Sequence, residues 1–158
     1  MSKYTLLGIK PDAFLPDNPR ESWSDLRCSL PESPENFVNE VKALIVERAL
    51  LIVMEKRYTV PTDIAREHYR EHAGVWDINY QQNKQDFLVE YLASGQSHWF
   101  VLEWEDSIRK WREIIIGLRE KYLVDRKLAR YNMTHASDSL ESAEREIWLH
   151  FPEFTTLS

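Results

Sequence analysis

Three apolar runs, residues 5–9, 50–60 and 98–104, constrain the fold more than any other feature of the chain. Each is bounded by turn signals or polar stretches, and the first and third are too short to make helices of their own. The first ends at Lys10-Pro11-Asp12, where proline cannot donate to a sheet ladder, and the second ends at Pro61. Helix patterns lie between these strands. Ser33 reads as a cap and Pro34 as the first helical residue of a segment whose Phe37, Val41, Leu44 and Ile45 share one side. Residues 62–72 look helical, with Ile64, His68 and His72 in step, and residues 86–93 read as a short helix closed by Ser94-Gly95. Asp106 or Ser107 caps a helix carrying Ile108, Trp111 and Ile115 on one face and ending near Gly117. Residues 132–134 read as a short fourth strand. Residues 139–149 read as an amphipathic helix capped by Asp138, with Glu141 at the capping-box spacing. This order predicts an α+β sandwich with helices packed on a mainly antiparallel four-stranded sheet.

A length of 158 residues suits one domain spanning 1–158. Residues 15–36 hold four of the seven prolines among many Ser, Asp and Glu, and read as an inserted surface excursion. Cys28 is the only cysteine, so neither an intrachain disulfide nor a cysteine zinc site is possible. The net charge of −6 argues against a general nucleic-acid coat, without excluding a local basic pocket. No apolar stretch approaches the ~20 residues of a membrane span, and the expected location is cytoplasmic. The glycines at 8, 74, 95 and 117 are isolated, which excludes a Walker loop and a dinucleotide fingerprint. Any nucleotide is held some other way.

His135 follows the short fourth strand and precedes a helix cap, a structured yet accessible place. Glu146 lies 11 residues on, in the last helix. A carboxylate against one imidazole nitrogen fixes the tautomer and leaves the other nitrogen nucleophilic; the expectation is a proton on Nδ1. Lys10 stands at a strand end where it can meet an anion. Arg109, Arg112, Arg119, Arg126 and Arg130 are concentrated in one stretch, and any of them beside His135 could hold phosphate oxygens. His68 and His72 are spaced i, i+4 but lack a third ligand nearby in sequence, so no protein-held metal site is expected. Trp76 and Tyr80 sit in a polar loop, where they either cap the core or present a flat face to a nucleobase.

Read together, these segments resemble nucleoside diphosphate kinases. Residues 5–13, Thr-Leu-Leu-Gly-Ile-Lys-Pro-Asp-Ala, are similar to that family's first strand and Lys-Pro-Asp-Gly turn. Asn132-x-x-His135-Ala136-Ser137-Asp138-Ser139 resembles its Asn-x-x-His-Gly-Ser-Asp-Ser signature, and Ser142 to Ile147 continue the match into the last helix. Residues 91–95, 102–105 and 118–122 also fall in register. The resemblance implies a ferredoxin-like βαββαβ fold and transfer of the γ-phosphate of a nucleoside triphosphate to a nucleoside diphosphate through a phosphohistidine. It implies that His135 is the nucleophile, that Glu146 and Ser137 orient and hydrogen-bond its imidazole, and that Lys10 and Arg119 bind phosphates and stabilise transferring charge. It further assigns Asn132 to the sugar hydroxyl, together with Lys10, and Tyr69 and Arg112 to the phosphates. Trp76 or Tyr80 would take the base, because the family's stacking phenylalanine falls on Gln85. Mg²⁺ would enter on the nucleotide phosphates.

The chain departs from the family at Ala136, which replaces a glycine, and in its insertion after the Lys-Pro-Asp turn. Most of a loop that the family carries between positions 117 and 119 is absent, and extra residues precede Asn132. That loop supplies a phosphate-contacting threonine and much of the family's trimer contact, so the expected assembly is a homodimer paired through residues 37–49 and 50–59. The alternative reading of the same residues is a nucleotide-binding regulatory protein with weak or no turnover.

Overall fold

The computed structural model describes residues 4–14, 33–78, 81–103, 107–122 and 134–154. The elements run β1 (Tyr4–Ile9), α1 (Pro34–Glu47), β2 (Leu51–Tyr58), α2 (Thr62–His68), β3 (Trp76–Asp77), β4 (Gln82–Asn83), α3 (Lys84–Ala93), β5 (Ser97–Glu103), α4 (Ser107–Tyr122), β6 (Thr134–Ala136) and α5 (Leu140–His150). The main sheet has the order β2-β5-β1-β6, with every neighbour antiparallel. This is the four-stranded antiparallel sheet that the element order predicts, in the ferredoxin-like form that the family resemblance implies.

Period-2 alternation splits the core into two layers. Leu7, Ile9, Phe100 and Leu102 face α1 and α4, where Phe37, Ile45, Trp111 and Ile115 are buried. Leu6, Trp99 and Val101 face the other way, against Ala65, Leu92 and Ile147 of α2, α3 and α5. Ser33 caps α1 as expected, its hydroxyl accepting from the Asn36 amide at 3.1 Å. The last helix is capped one residue later than its sequence suggests. Ser139, not Asp138, accepts from the Ser142 amide.

Two further expectations are corrected. The polar stretch that holds Trp76 is not all loop: Trp76 pairs with Asn83 and Asp77 with Gln82 in a small hairpin. And α4 does not end near Gly117 but runs on to Tyr122. The apolar stripe of Trp111, Ile114, Ile115, Leu118 and Tyr122 is buried in one layer, and that burial outweighs a single glycine's helix penalty of about 1 kcal/mol.

The two glycines at positions 8 and 117 make opposite predictions. Gly8 pairs across the sheet with Trp99, and a Cβ there would come within 2.4 Å of the indole ring. Gly8→Ala therefore destabilises the protein by about 1–3 kcal/mol, a drop of roughly 3–10 °C in Tm. At Gly117 a Cβ meets nothing within 4 Å on an exposed helix face. Gly117→Ala stabilises by up to about 1 kcal/mol. Thermal melts of the two variants check both signs.

Candidate active site

His135 lies within β6, opposite Gly8 of β1, rather than in a loop after the strand. The chain is then tied back where the Ser137 amide donates to the Leu6 carbonyl at 3.3 Å. From the Ser139 cap, α5 turns so that Glu146 returns beneath the imidazole. Nε2 of His135 donates to Oε2 of Glu146 at 2.8 Å, and the Ser137 hydroxyl donates to the same oxygen at 2.6 Å. Glu146 is almost fully buried. Burial, the largest single influence, pushes its carboxyl pKa up. Attraction to the His135 ring, the hydrogen bonds from His135 and Ser137, and the Arg145 guanidinium together outweigh it and hold the group below the usual carboxylate range.

An ionised carboxylate only accepts, so Nε2 carries the imidazole proton and Nδ1 keeps its lone pair. This reverses the tautomer expected from the sequence. Spacing alone shows that a carboxylate can reach the ring, but not which nitrogen it reaches. Ser137 likewise serves the imidazole indirectly, by bonding Glu146.

Tyr69, just past α2, is buried and lines an open cleft of about 140 Å³ together with His72, His135, Ala136 and Asp138. Lys10 is buried at the end of β1, its amine 5.6 Å from the centre of the Tyr91 ring. Arg119 reaches from α4 and donates through Nη2 to the Thr134 carbonyl at 3.1 Å, next to His135. Burial above all lowers its pKa; Tyr69 and Tyr91 oppose the shift and Arg112 adds to it. Tyr91 therefore neighbours both Lys10 and Arg119. Two partly desolvated cations flanking an accessible imidazole suit a polyanionic ligand.

Arg112 is exposed on α4, two turns before Arg119. Trp76 is 61% exposed on the small hairpin. Neither lines the cleft around His135. Asn132 and Tyr80 lie outside the described residues. Gln85 offers no stacking face: it ties α3 to α2, its amide donating to the Arg66 carbonyl at 3.1 Å.

Residues that sequence reasoning left aside also converge here. Arg145 donates to the Glu67 carbonyl at 2.9 Å and to Glu71 at 2.8 Å, and lies 3.7 Å from Glu146. His68 gains the third ligand that its sequence neighbourhood lacks. It joins not His72 but His135 and Glu146, with one ligand atom from each within 4.8 Å of the others. Lys10 and Arg145 both act on His68 as positive charges, so this corner favours an anion over a metal cation.

A ferredoxin-like sandwich whose sheet carries an imidazole braced by a buried carboxylate, with a lysine and an arginine beside it, defines a protein built around phosphate-like anions. The family profile described as Nucleoside diphosphate kinase matches residues 31–156. A nucleoside diphosphate kinase of Nocardia farcinica is 32% identical, with 98% of each chain covered. One from Staphylococcus aureus is 33% identical over 94% of this chain and 87% of its own. The crystal structure of the Aquifex aeolicus nucleoside diphosphate kinase superposes with a TM-score of 0.66 at 26% identity, covering 94% of each chain. The chain belongs to the nucleoside diphosphate kinase family. Among the described residues, no helix is long and apolar enough to cross a membrane.

Proposed function

We propose that this enzyme moves the γ-phosphate of a nucleoside triphosphate to a nucleoside diphosphate through a phosphohistidine on His135. The observation that carries this reading is the Ser137–Glu146–His135 chain, which holds the proton on Nε2 and leaves Nδ1 free beside an open cleft. In the first half-reaction Nδ1 attacks the γ-phosphorus. The bond from that phosphorus to the bridging oxygen breaks, and the nucleoside diphosphate leaves with the oxygen. In the second, a terminal oxygen of another diphosphate attacks the same phosphorus and the N–P bond breaks. The ring gains positive character as the N–P bond forms, and Glu146 stabilises it. Lys10 and Arg119 neutralise phosphate oxygens, with Tyr69 and Arg112 as further contacts.

Asn132 takes the sugar hydroxyl, and Trp76 or Tyr80 takes the base. The exposure of the Trp76 ring supports the first of these two. Mg²⁺ arrives as part of the nucleotide substrate. The ligand cluster near His135 contains two histidines and a single carboxylate, which does not suit a hard oxygen-seeking cation. A regulatory nucleotide binder of the same fold has no use for an imidazole so braced, which favours catalysis. Incubation with γ-labelled ATP tests the reading. An acid-labile, base-stable label on His135, transferable to added nucleoside diphosphate, supports it; a chain that takes no label overturns it.

The same reading places the enzyme in the cytoplasm as a single domain that pairs as a homodimer. β2 is an edge strand, and Leu51 and Val53 on it, with Val46 near the end of α1, are 60%, 38% and 71% exposed. An apolar sheet edge of this kind is a ready site for two-fold pairing. The loop that builds three-fold contacts in the family is replaced by uninterrupted helix through Gly117 and Leu118. Light scattering coupled to size exclusion is expected to give about 38 kDa, twice the 18.8 kDa chain. A mass near six chains would show that three-fold packing does not need the loop.

A further inference from the structure

Three polar side chains stand in line behind His135, and the transfer reaction as assigned uses none of them. The Tyr58 hydroxyl, at the end of β2, is 2.6 Å from Nδ1 of His150. Nε2 of His150, at the end of α5, is 3.1 Å from Nδ1 of His68. His150 and His68 are 0% and 3% exposed. Nε2 of His68 has no hydrogen-bond partner among the described residues. The His68 ring stands edge-on to His135 with centroids 4.4 Å apart, and one His68 nitrogen lies within 4.8 Å of ligand atoms of His135 and Glu146. Nδ1 is taken up by His150, which leaves Nε2 for that pair.

The chain has a direction set by its outer end. A phenol gives its proton to an imidazole nitrogen more readily than it accepts one. Burial, with Glu153 adding to it, raises the Tyr58 pKa, so the hydroxyl keeps the proton it donates. Nδ1 of His150 therefore accepts, and the His150 proton sits on Nε2. That N–H donates to Nδ1 of His68, which forces the His68 proton onto Nε2. Both rings are neutral. Burial first, then the positive charges of Lys10 and Arg145 around His68 and of Lys56 around His150, holds both well below the usual histidine range. Trp99 locks the middle of the line, stacked on His150 with centroids 3.8 Å apart, in the space that Gly8 leaves open.

We propose that Tyr58 and His150 set the tautomer of His68 so that its Nε2–H is presented to the His135–Glu146 pair, making these three side chains a positioning relay for the nucleophile. The proposal rests on His135 being that nucleophile. An N–H turned toward Glu146 favours its ionised form, and the carboxylate is most needed when the imidazole becomes positive during transfer. The opposite tautomer would turn a lone pair toward the carboxylate and repel it. The relay therefore acts on kcat more than on KM.

Long-range ¹H–¹⁵N spectra of the full chain with ¹⁵N-labelled histidine report which ring nitrogen is protonated, with no nucleotide present. His68 and His150 are both expected to be protonated on Nε2, and Tyr58→Phe is expected to disturb that state. Tyr58→Phe and His150→Phe, which keeps a ring against Trp99, are each expected to lower kcat by about 5- to 10-fold with KM within about twofold. His150→Gln, which retains a donor toward His68, is expected to recover most of that loss. His68 protonated on Nδ1 in the wild type, or an unchanged kcat in either phenylalanine variant, overturns the relay. Should His150→Phe fail to fold, Tyr58→Phe carries the test alone, since it removes a single oxygen. A wild-type chain that takes no label from ATP overturns the phosphotransfer reading instead, and leaves the tautomer result standing.

Discussion

His135→Ala abolishes phosphate exchange between ATP and a second nucleoside diphosphate, a loss of at least about 10⁴-fold, while nucleotide affinity and the fold persist. The imidazole supplies the atom that bonds to phosphorus, and no neighbouring side chain can replace it at that position. Its part in the fold is small by comparison. β6 is held by backbone pairing of Thr134, His135 and Ala136 with β1, which an alanine keeps. Glu146 loses one donor but retains the Ser137 hydroxyl and the Arg145 charge, so the buried carboxylate is not stranded. Nucleotide binding, read by equilibrium dialysis, is expected to change by less than about threefold, because Lys10, Arg119 and the other groups assigned to the phosphates are untouched. An alanine variant that still exchanges phosphate would show that another group forms the intermediate.

The second large effect belongs to Glu146→Gln, which lowers kcat by about 10²-fold with KM little changed. The amide is nearly isosteric and still accepts through its oxygen, so the ring stays oriented. What it lacks is the negative charge that stabilises the imidazole as the N–P bond forms. Stability gives a separate check through its pH dependence. The Glu146 carboxyl is held below its ordinary value in the folded protein, so its contribution is present above the unfolded pKa of about 4.3 and is lost as pH falls through the folded value. The wild type therefore loses stability on acidification more steeply than Glu146→Gln over that window. Parallel acid limbs in the two proteins, or an unchanged turnover number, would make Glu146 an ordinary helix residue.

The strands at residues 4–9, 51–58 and 97–103 and the Ser33 cap of α1 were legible because alternation and turn chemistry are local properties of a chain. The pairing of His135 with Glu146 was legible for a related reason: an accessible histidine and an acid on the next helix are 11 residues apart, within reach of one strand–helix turn. Other features depended on competition between distant segments. Gly117 reads locally as a stop, yet the buried stripe from Trp111 to Tyr122 carries α4 through it. The short hairpin at Trp76 and Asn83 leaves too few residues for any period to register.

By itself, then, the sequence determined the order of the main-sheet strands and of the helices between them, and singled out the histidine and carboxylate proposed to carry the chemistry, since each follows from backbone preference and side-chain type along a short stretch. Only the tertiary structure decided which imidazole nitrogen Glu146 meets, that Ser137 serves the carboxylate, and that Tyr58, His150 and His68 stand in line behind the site. The direction of a hydrogen bond and the tilt of a ring are set by atoms from several elements sharing one space. The His68–His150 contact spans 82 positions of chain, and no local pattern records it.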